Sequence, residues 1–132
     1  MIRTHGLTHL NLIVSDLDRT LRFYSAAFGV KEYFRDAASV QVLGPGRFDV
    51  IAFERGTPRP GQGITHLGFR LVRPEDIDVV VQQVLDAGGH LHRRGEFGPG
   101  LPFAYVHDPD GYEIELWFEP TEPLSAAGTS GA

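Results

Sequence analysis

The chain contains no cysteine, one methionine and one tryptophan among its 132 residues. Without cysteine, the chain has no disulfide bond of its own, no thiolate metal ligand and no cysteine nucleophile. Any metal site in this protein must therefore be built from nitrogen and oxygen ligands.

Clustered positive charge and long apolar runs are also missing. Lys and Arg total 12 against 17 Asp and Glu, which gives a formal net charge of −5. The basic residues are dispersed, so no basic stripe exists to neutralise a phosphate backbone, and we expect no nucleic-acid partner. No stretch approaches the roughly 18 apolar residues of a membrane span, and the N-terminus lacks a signal-peptide pattern. These absences predict a cytoplasmic protein with no membrane partner.

What the sequence does contain is an internal repeat. Residues 6–14 read GLTHLNLIV and residues 63–71 read GITHLGFRL, with Gly, Thr, His and Leu identical between the copies. After each copy, apolar residues recur at helical spacing, within 15–30 and within 73–90. Ser15 or Asp16 can cap the first helix, and Gly29 can end it. The order of strand and then helix therefore occurs twice.

Each half continues with three strand candidates. They lie at 31–35, 39–43 and 44–53 in the first half, and at 90–94, 103–107 and 108–117 in the second. One half alone is too small to bury a sufficient core. We therefore predict an α+β fold in which two tandem βαβββ modules, about 6–56 and 62–119, form a shared cleft within one domain over 1–120. Residues 121–132 lack apolar periodicity and are expected to be disordered.

The repeated histidines His9 and His66 occupy equivalent positions near the start of the first strand of each half. A lone histidine there is more often a packed or hydrogen-bonded strand residue than a metal ligand. Two imidazoles and one carboxylate, however, form the arrangement that holds divalent metals such as Fe(II). Strand alternation places Glu113 and Glu115 on one face of the last strand, so one of them is expected to point into the cleft.

Three segments together resemble the vicinal oxygen chelate superfamily, which includes glyoxalase I, extradiol dioxygenases, fosfomycin-resistance enzymes and bleomycin-binding proteins. They read THLNLIVSDLDRTLRFYSAAFGV, GITHLGF and AYVHDPDGYEIELW, and the resemblance covers residues 6 to about 118. It implies that His9, His66 and Glu115 hold one divalent metal ion, which could be Fe, Mn, Ni, Co or Zn. It also implies a small-molecule substrate that chelates the metal, and a homodimer.

Departures from individual subfamilies leave the reaction open. Glyoxalase I adds a second metal-binding glutamate from the first half. Alignment of the two halves places Ile51 or Ala52 at that position, which argues against glyoxalase activity. Asp49 or Glu54 could still reach inward. Tyr105 stands ten residues before Glu115, as does a tyrosine of extradiol dioxygenases, and is the candidate catalytic hydrogen-bond donor. Against a dioxygenase, no histidine occurs between residues 10 and 65.

The alternative is a metal-free protein that sequesters a drug or another small molecule, as bleomycin-binding proteins do. Aromatic residues could line its groove, although core packing is their commoner use. They are Phe53, Phe69, Phe103, Tyr105 and Trp117. Because all three expected metal ligands are present, we favour a metal-dependent enzyme of the dioxygenase or lyase type.

Overall fold

The structure is a computed structural model that describes residues 1–3, 5, 7–46 and 49–118. The segment expected to be disordered, 121–132, lies outside the described residues. The elements are β1 His9–Val14, α1 Leu17–Phe28, β2 Lys31–Arg35, β3 Ser39–Leu43, β4 Val50–Arg55, β5 Leu67–Arg70, a short 3-10 turn Pro74–Asp76, α2 Ile77–Asp86, β6 His90–Glu96, β7 Pro102–His107 and β8 Glu113–Trp117.

The strands form two four-stranded sheets with the same connectivity. Sheet one has the order β1-β4-β3-β2 and sheet two has the order β5-β8-β7-β6. In each sheet the first strand pairs in parallel with the last, and the other neighbours are antiparallel. The prediction of two tandem βαβββ modules in an α+β fold is confirmed.

The two helices begin differently. The side chain of Asp16 accepts a hydrogen bond from the backbone N–H of Arg19 at 2.9 Å, so it satisfies one of the free donors at the start of α1. Gly29 ends α1 in the left-handed conformation, with φ of 65°. Among the described residues no side chain caps α2, which follows directly from the Pro74–Asp76 turn.

One hydrophobic core runs through both modules. Each helix packs on one face of its own sheet, and the two helices contact each other. Alternate residues of the central strands face this core, which buries Val40 and Val42 of β3 and Ile114 and Leu116 of β8. We call the opposite face of each sheet its outer face. The edge strands β2 and β6 are exposed along their whole length, so the outer faces are open.

The turn at 108–111 connects the modules through polar contacts. The hydroxyl of Tyr24 on α1 donates to Asp108 Oδ2 at 2.8 Å, and both side chains are buried. Arg19 Nη2 lies 2.9 Å from Asp110 Oδ1. The hydroxyl of Tyr112 donates to the carbonyl of Ile13 on β1 at 2.6 Å. This turn of module two therefore also holds module one in place.

The described part of the chain has no helix that is both long enough and apolar enough to cross a membrane.

Candidate metal centre

Most of the side chains that could bind a metal or take part in catalysis lie on the outer face of sheet two. Because Ile114 and Leu116 point into the core, the intervening Glu113 and Glu115 of β8 point outward. In the antiparallel register with β7, Tyr105 lies opposite Glu115. Both glutamates therefore face the outer side, as strand alternation predicted.

His66 and Glu115 are in direct contact. His66 directly precedes β5, and its Nε2 lies 3.0 Å from Glu115 Oε2. The His66 side chain is 36% exposed and that of Glu115 is 15% exposed, so solvent reaches the pair. Thr65 Oγ1 lies 3.1 Å from Nδ1, the other ring nitrogen of His66, and so orients the ring. Two of the three expected ligands are thus together.

His9 is not part of this pair. It is exposed at the start of β1, and its Nδ1 lies 2.6 Å from Thr8 Oγ1. It lines a groove of about 600 Å³ together with Asp49 and Arg70. His66 instead lines a smaller groove of about 190 Å³, together with Tyr112. Within one chain, the structure does not bring His9 to His66 and Glu115.

The strand register identifies the module-one counterpart of Glu115. Leu10 pairs with Ile51 in sheet one, and its repeat partner Leu67 pairs with Ile114 in sheet two. Ala52 is therefore the counterpart of Glu115, and it has no metal-binding group. Asp49 precedes β4, and its carboxylate accepts a hydrogen bond from Gly46 N–H at 3.0 Å within the turn. Glu54 is exposed, one residue before the end of β4.

Tyr105 lies beside the His66–Glu115 pair. Its ring meets the His66 ring edge-on at 5.4 Å, and the Arg93 guanidinium lies 4.5 Å from its centroid. Burial, and then the negative charge of Glu115, raise the pKa of the Tyr105 phenol. The phenol consequently stays protonated near neutral pH, which makes it a hydrogen-bond donor rather than a base.

Aromatic residues extend the same face beyond Tyr105. Phe97, in the loop between β6 and β7, stacks on Phe103 at 4.2 Å and meets the Trp117 ring edge-on at 5.5 Å. Two other aromatic candidates lie on the core side. Phe53 is buried against Tyr24, and Phe69 stacks on Phe28 at 4.1 Å.

Sequence reasoning missed one group of residues on this face. His107 is the last residue of β7 and is partly buried, whereas His92 is exposed on the edge strand β6. His92 Nδ1 lies 2.6 Å from Glu113 Oε1, and the His92 and His107 rings stack with centroids 4.8 Å apart. The pairing of HLHRR with AYVH would have shown this, but it depends on the register between two distant strands.

Residues 6–116 match the family model of the Glyoxalase/Bleomycin resistance protein/Dioxygenase superfamily. The chain therefore belongs to this superfamily, and the predicted resemblance is confirmed.

Individual relatives have different activities in their names. The chain is 32% identical over 120 residues to Virulence protein STM3117 of Salmonella typhimurium, covering 83% of this chain and 81% of the relative. It is 34% identical over 122 residues to Lactoylglutathione lyase GLX1 of Arabidopsis thaliana, covering 82% of this chain but only 42% of that protein.

Among solved structures, the fosfomycin resistance protein FosX of Listeria monocytogenes, complexed with Mn(II) and a sulfate ion, superposes with a TM-score of 0.78. The alignment covers 91% of this chain and 94% of that chain, at 23% sequence identity. This likeness supports the fold.

Proposed function

We propose that this protein is a metal-dependent enzyme whose small substrate binds through two neighbouring oxygen atoms to one divalent ion held by His9, His66 and Glu115. The observation that carries the proposal is the contact between His66 Nε2 and Glu115 Oε2 on an open face, with a protonated phenol beside it. When bound, a divalent metal at this pair would act as a Lewis acid toward the chelating oxygens.

The donor set suits such an ion. Two imidazoles and one carboxylate accept Fe(II), Mn(II), Co(II), Ni(II) or Zn(II) and leave coordination positions open. Manganese has a precedent among the similar proteins, because the FosX structure contains Mn(II). The metal of this chain is part of the proposal and has to be measured.

We assign the third ligand, His9, to a second copy of the chain. In one chain His9 and His66 line different grooves. The outer faces of both sheets are open, and the exposed strands around them carry large apolar side chains that solvent would otherwise contact. These include Phe34, Leu43 and Leu91, and the loop between β6 and β7 adds Phe97 and Leu101. A homodimer that joins sheet one of each copy to sheet two of the other would cover both faces and complete two equivalent sites.

Other residues of the chain would bind the substrate and exclude water from the site. Tyr105 would donate a hydrogen bond to a substrate oxygen, because its phenol stays protonated. Arg93, 4.5 Å from the Tyr105 ring, would place positive charge beside an anionic substrate. Phe97, Phe103 and Trp117 would exclude water from one side of the site.

Ala52 has no carboxylate, and this limits the reactions that the site could catalyse. A glyoxalase-type reaction needs a base at the metal to take the substrate proton, and the counterpart of Glu115 in module one is an alanine. We therefore favour dioxygenase-like chemistry, or a lyase-like reaction other than that of glyoxalase I. The alternative is metal-free binding of an aromatic ligand, which the stacked Phe97 and Phe103 beside Trp117 favour.

Metal content and subunit exchange test the proposal together. His9→Ala and His66→Ala should each lose the ion of this site, which elemental analysis measures as one equivalent of metal per chain, whereas His90→Ala, an exposed histidine of β6, should retain it. After unfolding and refolding as a mixture, the first two variants should regain metal, because a heterodimer assembles one site with all three ligands. No recovery in demonstrated heterodimers would refute the shared site. Wild type that stays metal-free after incubation with each candidate ion would make the aromatic-ligand alternative the leading function.

Tyr105→Phe tests the role of the phenol. Metal content should be unchanged, but the affinity for nitrocatechol, a chelating probe, should fall by about tenfold, which corresponds to one hydrogen bond of roughly 1.4 kcal/mol. Tyr33→Phe, which removes an exposed hydroxyl in module one, is the matched control. Equal probe affinity in wild type and Tyr105→Phe would remove Tyr105 from the mechanism.

A further inference from the structure

A second group of metal-binding side chains lies on the outer face of sheet two, apart from His66 and Glu115. It consists of His92, His107 and Glu113, each of which offers a ligand atom within 4.8 Å of the other two. In the described part of the chain, this is the one set of three His or carboxylate residues that meets this criterion. We propose that these three residues form a second divalent-metal site.

The strand geometry explains why these side chains meet. His107, the last residue of β7, is paired with Glu113, the first residue of β8. The register between β6 and β7 shifts between Leu91 and Arg93, so His92 is an extra residue on its strand. Such a bulge re-aims a side chain, and here the His92 ring lies over the His107 ring with centroids 4.8 Å apart and 29° between their planes.

The distances are close to those of a metal site. Ligands bound about 2.0–2.2 Å from one ion lie roughly 3–4 Å from each other. His92 Nδ1 and Glu113 Oε1 are 2.6 Å apart, and no ligand pair exceeds 4.8 Å. The separations of the three ligand atoms are therefore near those of ligands that share one ion. Within one chain the His92 side chain is 48% exposed and that of Glu113 is 24% exposed, which leaves room for water ligands.

The ligand types indicate which ions bind. Two imidazoles and a carboxylate favour borderline transition metals over Mg²⁺ or Ca²⁺, which prefer sites built from oxygen alone. We therefore expect Zn²⁺, Co²⁺, Ni²⁺ or Cu²⁺.

Module one has no equivalent of this group of side chains at the corresponding positions. The module-one positions that correspond by strand register to His92, His107 and Glu113 are Tyr33, Leu43 and Val50. None of the three offers an imidazole or a carboxylate. The side chains of the group are therefore specific to module two, although the backbone frame occurs twice.

A cobalt titration tests the second site. The chain has no cysteine, so visible Co²⁺ absorption would report sites built from nitrogen and oxygen ligands. Wild type should bind two Co²⁺ ions per chain, and the double variant His92→Ala/His107→Ala should lose one of them. Glu113→Gln, which preserves shape, should weaken that ion by at least about tenfold. His90→Ala, on the same strand, should behave as wild type.

His66→Ala separates this proposal from the proposed function. One ion should remain in His66→Ala and should disappear when His92 and His107 are also replaced. If no ion depends on His66 but one depends on His92 and His107, the second site stands and the proposed function fails. If every bound ion is lost in His66→Ala, or if the double variant titrates as wild type, the second site is refuted. Far-ultraviolet circular dichroism of each variant excludes loss of fold as the cause.

Discussion

The two modules share one backbone plan but differ in what their outer faces carry. By strand register, Gln41 of module one corresponds to Tyr105 of module two, and Ala52 corresponds to Glu115. Inner positions stay apolar in both modules, as Ile51 and Ile114 illustrate. The inner faces are constrained by the common core, whereas the outer faces can change without loss of the fold.

The edge strands show the same contrast in detail. Both β2 and β6 contain an irregularity at the same place, next to Tyr33 and next to His92. The hydroxyl of Tyr33 donates to Gln41 Oε1 at 2.6 Å, whereas His92 reaches Glu113. The repeated bulge thus presents an ordinary hydrogen bond in one module and metal-binding side chains in the other. The frame determines where a side chain points, and the residue type determines what it can do there.

The largest expected effect concerns the carboxylates of the two modules. Glu115→Ala should weaken binding of the metal at the His66 site by at least about a hundredfold, because loss of a residue that merely supports a ligand already costs about 10–100-fold. Glu54→Ala, which removes an exposed carboxylate of β4, should leave the affinity unchanged. Isothermal titration calorimetry measures both. Equal loss in the two variants would show that module one contributes a carboxylate after all.

A smaller effect should follow from cutting the contact that holds the modules together. Tyr24→Phe removes the buried hydroxyl that donates to Asp108, and this should cost about 1.5–3 kcal/mol of unfolding free energy in urea at neutral pH. Tyr33→Phe, which removes an exposed hydrogen bond, should change it by less than about 0.5 kcal/mol. If both variants unfolded at the same urea concentration, the contact between Tyr24 and Asp108 would contribute no special stability.

The pH dependence of Tyr24→Phe sharpens this prediction. Burial raises the pKa of Asp108 above its ordinary value of 3.8, and the hydrogen bond from Tyr24 opposes that rise. A raised carboxyl pKa contributes stability that is complete below the ordinary value and is lost as the pH rises through the folded-state value. Removing the hydroxyl raises the pKa further and enlarges this loss. The variant should therefore be closest to wild type in acid and furthest from it at neutral pH.

The smallest effect distinguishes the two helix starts. Asp16→Ala should lower the melting temperature at neutral pH, because the hydrogen bond from Arg19 N–H stabilises the ionised carboxylate and lowers its pKa below 3.8. That stability is present above the ordinary pKa and is lost as the pH falls through the lowered one, so the variant and wild type should converge in strong acid. Asp76→Ala removes no cap from α2, and its effect should be smaller. The reverse order would contradict this account of the two helix starts.

The sequence by itself determined the repeat, the order of the strands and helices and the inner faces of the central strands. These features follow from short-range patterns, since strand alternation and helical spacing are visible within ten to twenty residues. The same patterns, with the resemblance they carried, made His9, His66 and Glu115 candidates. The assignment of these three as ligands of one metal stays a prediction.

The tertiary structure decided which distant residues meet. It selected Ala52 over Ile51 as the counterpart of Glu115 and joined Tyr24 to Asp108. It also assembled His92 with His107 and Glu113, and it kept His9 away from His66 within one chain. Each of these outcomes depends on the register between strands far apart in sequence or on the packing of one module against the other. Local spacing carries no information about either, because one residue of slip moves every side chain of a strand to the opposite face.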